Sequence, residues 1–347
     1  MTRDAWTGLR LLLALTAVTA LVVTGGACGS AKKRAKTQPS PPSGGSSAAG
    51  TASEQATRSA AASDGFPTPG TSHQTPPALD RITSWVYQLQ GYERGRLDAL
   101  GRAPQQLAVI DLTRDGHADY FTAAEVDALR RSGKRVLAYF EIGSIENYRP
   151  EFATLPQDLR LNRWADWPEE FFVRYWDARW WDRVVRPRVD QALWAGFDGV
   201  YLDTPLAYEE LDLALVPGYS RNSLAAAMVQ LIVRISTYAK SRRPGFWIVP
   251  QNSPELRLHG SGYIDSIDGV GMEELFFQAT DTPCRADYCQ ENLDHTRALR
   301  DAGKLVLAVD YAVRPENLRA ACARYRAERF AGYVGVRDLD RISPPCG

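Results

Sequence analysis

The sequence contains few of the residues and motifs on which several large enzyme classes depend. Its four histidines, His73, His117, His259 and His295, lie far apart and lack the spacing of metal ligands. This distribution argues against a histidine-based zinc site and against a Ser-His-Asp triad. There is also no G-x-S-x-G elbow, no Walker loop and no G-x-G-x-x-G segment that opens a helix.

An excess of basic residues is absent as well. Lysine and arginine number 41, aspartate and glutamate also number 41, and the formal net charge at pH 7 is zero. A nucleic-acid partner is therefore not expected, because proteins that bind nucleic acid carry clustered positive charge. The composition gives no indication of a cofactor or a metal, and we expect a monomer that uses neither.

The N-terminal region lacks the pattern of a folded domain and has the pattern of an export signal. Arg3 and Arg10 precede an apolar run over residues 11–23, and the small residues GGACGS follow. A charged start, an apolar stretch and a small-residue cleavage site are typical of secretory signals. The apolar run has 13 residues, whereas a membrane span needs about 20.

Cys28 gives this signal a more specific interpretation. It follows Gly26 and Ala27 as in a bacterial lipobox, in which the cysteine is lipidated and becomes the mature N terminus; Gly25 stands where leucine is usual. We therefore expect residues 1–28 to direct export and to leave a membrane anchor at Cys28, on the cell surface or in the periplasm. The alternatives are an ordinary cleaved signal, which gives a secreted protein, and an uncleaved anchor.

A low-complexity segment separates the signal from the rest of the chain. Residues 29–77 are rich in Ser, Ala, Gly, Thr and Pro and contain the basic patch KKRAK. Such a segment buries too little apolar surface to offset the entropy of ordering it, so we expect a disordered linker. Residues 78–347 remain, and their number is that of one α/β barrel.

Four cysteines besides Cys28 lie in the second half of the chain. An even number in an exported protein indicates disulfides, although four cysteines allow three connectivities. We favour the pairs Cys284–Cys289 and Cys322–Cys346, because the first closes a short loop and the second pins the C terminus. A zinc site is the alternative, but C-x4-C without a nearby histidine is poor spacing for zinc.

Eight short runs have the composition of strands that are buried on both faces. They cover residues 85–90, 107–112, 135–143, 199–203, 246–252, 269–276, 305–311 and 333–338. Helical patterns lie between several of them, at 122–133, 221–241 and 315–330, with a threonine cap on the first and proline near the start of the last. Eight strands separated by helices predict a (β/α)8 TIM barrel.

Polar side chains collect at the ends of these strands. They include Gln88, Gln90, Asp111, Glu141, Asp203, Gln251, Asn252, Glu273, Glu274, Asp310, Tyr311, Arg337 and Asp338. In this fold the C-terminal ends of all strands meet at one face, which holds the active site. Any one of these residues can equally be a structural cap, but acidic groups at six of eight strand ends favour a functional cleft.

The side chains at these ends are mainly carboxylates, amides and aromatic rings. Glycoside hydrolysis uses two carboxyl groups that flank the bond, together with hydrogen bonds to hydroxyl groups. Many carboxylates in one cleft repel one another unless they bind a cation, a polyol or a cationic substrate. The residues therefore favour a polysaccharide as the partner, including a cationic one.

Seven segments occur in the order and spacing of glycoside hydrolase family 114, the endo-α-1,4-polygalactosaminidase-like TIM barrels. They are WVYQLQ, VIDL, VLAYFEIGSIENYRPEF, GFDGVYLDT, VPQNSPEL, IDGVGMEELFF and VLAVDYA. The resemblance covers about residues 80–340, which is nearly the whole of the expected folded part. It implies hydrolysis of an α-1,4-linked polysaccharide that contains galactosamine.

The resemblance assigns the catalytic pair to Asp203 and Glu273. Asp203 would be the nucleophile, kept ionised by hydrogen bonds from neighbours such as Tyr201 or Asn252. Glu273 would be the general acid/base, with a pKa raised by burial and by nearby negative charge. Family members usually have Glu-Asp where this chain has Glu273-Glu274, so either carboxylate is a candidate to face the sugar.

The remaining site residues are expected to bind substrate. Those at strand ends are Asp111, Glu141, Tyr201, Asn252, Glu274, Asp310, Tyr311 and Arg337. Glu146, Tyr148 and Arg149 follow the third strand on a loop, from which they would contact flanking sugars.

Residues 164–185 hold five of the nine tryptophans. Such rings stack on sugars or pack in the core. We expect Trp180 and Trp181 to anchor the helix before the fourth strand, and for Trp164 and Trp167 both interpretations stay open.

Two other functions are compatible with the sequence. Barrels host many chemistries, so a glycosidase of different specificity is the first. The second is a non-catalytic lipoprotein that binds a surface polysaccharide. An intact Asp203 and Glu273 argue against the second, because a protein that only binds has no need of this pair.

The lipid anchor can be tested directly. A lipid precursor supplied to cells should label the full-length protein, whereas Cys28→Ser should stay unlabelled. Equal labelling of both proteins, or of neither, would contradict the anchor. A protein that begins at residue 78 should be folded, soluble and active, because the expected domain starts there.

Overall fold

The computed structural model describes residues 77–346, and eight parallel strands form its centre. They are β1 (Trp85–Gln88), β2 (Leu107–Asp111), β3 (Arg135–Glu141), β4 (Gly199–Asp203), β5 (Trp247–Pro250), β6 (Gly269–Glu273), β7 (Leu305–Tyr311) and β8 (Ala331–Gly335). The expected signal and nearly all of the expected linker lie outside the described residues.

Two single bridges close the strands into a ring. Strands β1 to β5 pair in chain order, and β6, β7 and β8 form a second parallel sheet. Ser84 pairs with Gly332 to join β1 to β8, and Gln251 pairs with Gly271 to join β5 to β6. The predicted barrel of eight parallel strands is thus confirmed, and all strand C termini lie at one face of it.

Helices cross between consecutive strands. They are α1 (Asp98–Arg102), α2 (Ala123–Arg131), α3 (Arg186–Ala195), α4 (Arg221–Arg242), α5 (Tyr263–Ser266), α6 (Asp287–Asp301) and α7 (Pro315–Glu328). The short helices Ala178–Trp180 and Ala207–Glu210 and the π-helical turn Trp181–Val185 also occur. The Thr122 side chain and Glu125 form a capping box on α2, and α3 ends at Gly196, which has φ of 87°.

The barrel departs from the full (β/α)8 pattern after β8, where no helix follows within the described residues. The C-terminal tail lies against α1 instead, and the Gln105 side chain donates a hydrogen bond to the Ser343 carbonyl at 2.9 Å. A disulfide joins Cys322 of α7 to Cys346, so the tail occupies the gap between the last helix and the first.

The last strand begins earlier than the sequence indicated. It covers Ala331–Gly335 rather than 333–338. The sequence did not indicate this start, because the first two residues, Ala331 and Gly332, are small and lack the β-branched side chains typical of strands. A Cβ at Gly332 would overlap the ring of Tyr325, which packs there from α7. Arg337 and Asp338 consequently lie beyond the strand, in the loop that follows it.

A small antiparallel sheet follows β3. Its strands are Ser144–Glu146, Arg160–Arg163 and Glu170–Val173, with Glu170–Val173 in the centre. Trp180, which follows this sheet, is fully buried and donates its indole N–H to the Ile142 carbonyl. Trp181 is buried as well, which confirms the expected core packing of this pair.

Both expected disulfides are present. Cys284 and Cys289 are joined with their Cα atoms 6.0 Å apart, and Cys322 and Cys346 with theirs 5.3 Å apart. Of the helices in residues 77–346, none is long and apolar enough to cross a membrane.

The Cys322–Cys346 bond should contribute more stability than the Cys284–Cys289 bond. It closes a loop of 24 residues against 5, and chain entropy gives about 3 and about 2 kcal/mol for loops of these lengths. The double variant Cys322→Ser/Cys346→Ser should therefore melt several degrees below the unmodified protein in calorimetry, and by more than Cys284→Ser/Cys289→Ser. An unchanged melting temperature in both variants would contradict this ranking.

Candidate active site

The barrel interior below the strand ends is filled by tyrosine rings. Side chains alternate along a strand, and Tyr87, Tyr139 and Tyr201 of three strands turn inward. The ring of Tyr201 lies 5.3 Å from that of Tyr87 and 6.5 Å from that of Tyr139. Two residues further along β4, the same alternation places Asp203 above this layer, in register with Glu141 of β3.

Asp203 accepts two short hydrogen bonds. The Tyr139 hydroxyl donates to Oδ2 at 2.5 Å, and the Thr204 backbone N–H donates to Oδ1 at 2.6 Å. These donors differ from the expected Tyr201 and Asn252. Burial raises the pKa of Asp203 to about 6, and the two hydrogen bonds hold it from rising further.

Glu273 lies at the end of β6 and has three side-chain donors. Gln251 donates to Oε2 at 2.5 Å, Asn252 donates to the same oxygen at 3.1 Å, and the Tyr311 hydroxyl donates to Oε1. The Tyr87 hydroxyl donates to the side-chain oxygen Oε1 of Gln251 at 2.8 Å. That bond fixes the amide so that its N–H group faces the carboxylate.

The charge of Asp203 acts on Glu273. Burial, followed by the negative charge of Asp203, raises the pKa of Glu273 to about 7, which confirms the expected direction and its causes. The Tyr201 hydroxyl reaches from β4 toward β6, where a Cβ at Gly271 would overlap it. Glycine at position 271 of β6 therefore leaves room for the Tyr201 hydroxyl between β4 and β6.

Arg149 joins three carboxylates beside this pair. Its two Nη atoms donate to the two oxygens of Asp111 at 3.0 and 2.8 Å, and its Nε lies 3.1 Å from Glu141 and 2.5 Å from Glu146. Arg188 of α3 lies 3.3 Å from the other oxygen of Glu141.

These contacts leave Asp111, Glu141 and Arg149 buried inside the protein. The predicted sugar contacts of these three residues are therefore not favoured by the geometry, because internal hydrogen bonds engage their polar atoms. Burial disfavours ionisation of Glu141, but the charges of Arg149 and Arg188 outweigh it and lower the pKa to about 2.

Glu146 and Tyr148 lie nearer the surface of the same network. Burial, followed by the charge of Glu141, raises the pKa of Glu146 to about 8. The half-buried Tyr148 ring lies 5.7 Å from the His117 ring, edge to face, and 5.7 Å below the guanidinium of Arg149. Neither side chain is fully buried, and the expected sugar contacts of both residues stay a prediction.

Glu274 bonds to the loop that follows β6. Its backbone has φ of 57°, and its Oε1 accepts the Ala279 N–H at 2.9 Å. Burial raises its pKa, while that hydrogen bond and the positive charge of Arg337 lower it. The exposed Arg337 in turn lies with its guanidinium 5.2 Å from the centre of the Trp167 ring.

The chain matches a known family of proteins. The sequence model of a family described as Glycoside-hydrolase family GH114 matches residues 65–347. The chain belongs to glycoside hydrolase family GH114. An uncharacterized protein of Deinococcus radiodurans is 35% identical over 285 residues, which are 80% of this chain and 89% of that protein.

Two solved structures share the fold of this GH114 chain. Ega3 of Aspergillus fumigatus, in complex with galactosamine, has a TM-score of 0.60 at 18% identity and covers 79% of this chain and 98% of its own. The glycoside hydrolase domain of PelA from Pseudomonas aeruginosa has a TM-score of 0.59 at 19% identity, with 75% and 97% covered.

One predicted cleft residue of this GH114 barrel faces outward. Asp310 is fully buried; its Oδ1 accepts the N–H groups of Phe276 and Phe277, and its Oδ2 accepts the Tyr325 hydroxyl at 2.5 Å. The prediction that Asp310 lines the cleft is wrong, because alternation along β7 turns the next residue, Tyr311, inward. Asp310 instead fixes the loop after β6.

Sequence reasoning missed three residues that shape the site. Tyr139 and Tyr87 escaped because they lie inside strands rather than at their ends. Glu170, on the small sheet, accepts a hydrogen bond from Ser144, and burial and the charge of Asp203 raise its pKa. The alternation of side chains on the strands was a signal for the tyrosines. Within residues 77–346, no group of three or more His, Cys, Asp or Glu is arranged to hold a metal ion.

Removal of the Tyr139 hydroxyl should raise the pKa of Asp203. A hydrogen bond to a charged group contributes about 1.5–3 kcal/mol, which corresponds to a rise of about one pH unit or more in Tyr139→Phe. Titration of the Asp203 carboxyl carbon by NMR measures it. Tyr175→Phe is the control, because it loses a buried hydroxyl that bonds the distant Leu224 carbonyl. Equal pKa values in both variants would contradict the assignment of Tyr139 as the donor.

Proposed function

We propose that this protein is an exported hydrolase that cleaves an α-1,4-linked polysaccharide containing galactosamine, through Asp203 and Glu273. The observation that carries the proposal is the pair of half-buried carboxylates that end β4 and β6, each with its own fixed donors and with the charge of Asp203 acting on Glu273. Membership of GH114 supports hydrolysis of a glycosidic bond.

The different surroundings of the two carboxylates support different roles. With pKa values of about 6 for Asp203 and about 7 for Glu273, the pair holds one proton between these pH values, and Glu273 keeps it. Glu273 is therefore the general acid and Asp203 the nucleophile. The tyrosine and backbone N–H on Asp203 keep its carboxylate ionised and aimed while Glu273 is protonated.

The reaction takes two steps in the retaining mechanism. In the first, Glu273 gives its proton to the glycosidic oxygen while an Asp203 oxygen bonds to the anomeric carbon, and the leaving chain departs with a hydroxyl group. In the second, the Glu273 carboxylate takes a proton from water, whose oxygen displaces Asp203 from that carbon. Water is consumed and both side chains return to their starting states.

Charge supports galactosamine as the sugar. Four more buried or half-buried carboxylates lie around the pair, and two arginines, Arg149 and Arg188, bind among them. The four are those of Asp111, Glu141, Glu146 and Glu170. A deacetylated galactosamine polymer is cationic and suits such a cleft. Ega3, which has the same fold, was crystallised with galactosamine.

Export and anchoring complete the proposal. Two disulfides in the barrel support a protein that folds in an oxidising compartment. We propose that Cys28 carries a lipid anchor and that residues 29–77 tether the barrel to the membrane as a monomer.

The test is to incubate the protein with deacetylated polygalactosamine and measure new reducing ends. Asp203→Asn should lose at least about a thousandfold in kcat while it still binds polymer, because an amide cannot attack. Glu273→Gln should also be slow, but should partly recover on substrates whose leaving groups need no proton. Glu274→Gln is the matched comparison and should lose less, because its carboxylate is held by the Ala279 N–H in the loop after β6.

Full activity in Asp203→Asn would contradict the mechanism. Cleavage of other polymers but not of polygalactosamine would support the hydrolase activity and contradict the proposed substrate. Binding without cleavage of any polymer would favour the non-catalytic alternative.

A further inference from the structure

Trp167 is one of the large apolar side chains that the barrel leaves exposed. Its side chain is 45% exposed, although it lies on the excursion between β3 and α3, at the face of the barrel that holds Asp203 and Glu273. Trp164, three residues earlier, differs because its ring packs on Phe172 at 5.3 Å. Trp164 therefore packs against the small sheet, whereas Trp167 is exposed.

Arg337 fixes the presented ring from one side. Its guanidinium lies 5.2 Å from the centre of the Trp167 ring, although it comes from the loop after β8. A cation on one face restrains the ring and leaves the opposite face as a flat apolar surface. Two loops distant in sequence therefore meet to hold this tryptophan at the barrel mouth.

Glu274 connects this ring to the catalytic pair. The positive charge of Arg337 and the negative charge of Asp166, next to Trp167, both act on the Glu274 carboxylate. Glu274 directly follows Glu273 and is held by the Ala279 N–H. The contact of Arg337 with the ring and the effect of its charge on Glu274 therefore place the ring near the loop that follows Glu273.

We propose that Trp167, backed by Arg337, is a sugar-binding platform for the leaving-group end of a galactosamine polymer, with Glu274 beside it to attract the sugar's ammonium group. This inference rests on the proposed function, because the direction of the chain follows from Glu273 as the acid. A pyranose presents C–H groups on one face that suit an indole, and its amine at the edge remains free for a carboxylate. The platform selects polymers that extend beyond the scissile bond.

The chain offers a matched control in Trp194. This residue is 51% exposed on α3, near the point where α3 leads into the start of β4, at the opposite end of the barrel from the strand C termini. Trp194→Ala removes an equally exposed indole far from the cleft. Because both side chains lie at the surface, neither replacement should unfold the protein, and thermal melting checks this.

Binding is measured first in the Asp203→Asn background, so that cleavage is not required. Calorimetry with deacetylated galactosamine oligosaccharides should give a Kd about tenfold higher after Trp167→Ala and unchanged after Trp194→Ala. Arg337→Gln, which leaves the indole in place but unrestrained, should weaken binding by a smaller factor. Glu274→Gln should reduce the preference for deacetylated over N-acetylated oligosaccharides.

Kinetics of variants that keep Asp203 tests whether the ring contacts the leaving-group end of the substrate. Trp167→Ala should lower kcat/KM about tenfold on polymer, but by a much smaller factor on α-galactosaminyl fluoride, whose leaving group is a single atom and cannot reach the ring. Equal losses on both substrates, or a Kd equal to that of Trp194→Ala, would overturn the platform alone. If the unmodified protein neither binds nor cleaves the polymer, the proposed function fails and the platform fails with it.

Discussion

Burial of many carboxylates at one end of a barrel is possible here because Arg149 binds three of them at once. Its guanidinium spans Asp111, Glu141 and Glu146, which belong to β2, β3 and the small sheet. Loss of one partner of such a buried network leaves an uncompensated charge, at a cost of about 3–5 kcal/mol. The arginine thus ties the excursion after β3 to the barrel, and with it the surface that carries Trp167.

The same network divides the acidic groups into two kinds. Glu141 is neutralised by two arginines and has a low pKa, whereas Asp203 and Glu273 are held by tyrosine hydroxyls, amides and a backbone N–H. Neutral donors orient a carboxylate without removing its charge. Burial raises the pKa values of the pair to near neutrality and these donors lower them only in part, which suits the proposed roles of a nucleophile and an acid.

Much of this arrangement was predictable because parallel barrels give regular signals. The strands β4 and β7 have the predicted bounds, and Asp203 and Glu273 lie at strand ends as the pattern required. Both disulfides followed from loop length and the position of the C terminus. The Asp310 error was avoidable, because two adjacent strand residues cannot both face the interior.

The sequence by itself determined the family, the number and order of the strands, and which carboxylates end them, since each is a local pattern or a motif read along the chain. The tertiary structure alone decided the partners of those carboxylates. Tyr139 reaches Asp203 because β3 pairs with β4, and Tyr87 reaches Gln251 because the barrel brings β1 to the residue that follows β5. Arg149, predicted to meet sugars, turns inward because three carboxylates converge on it, and no pattern along one strand encodes a contact among three.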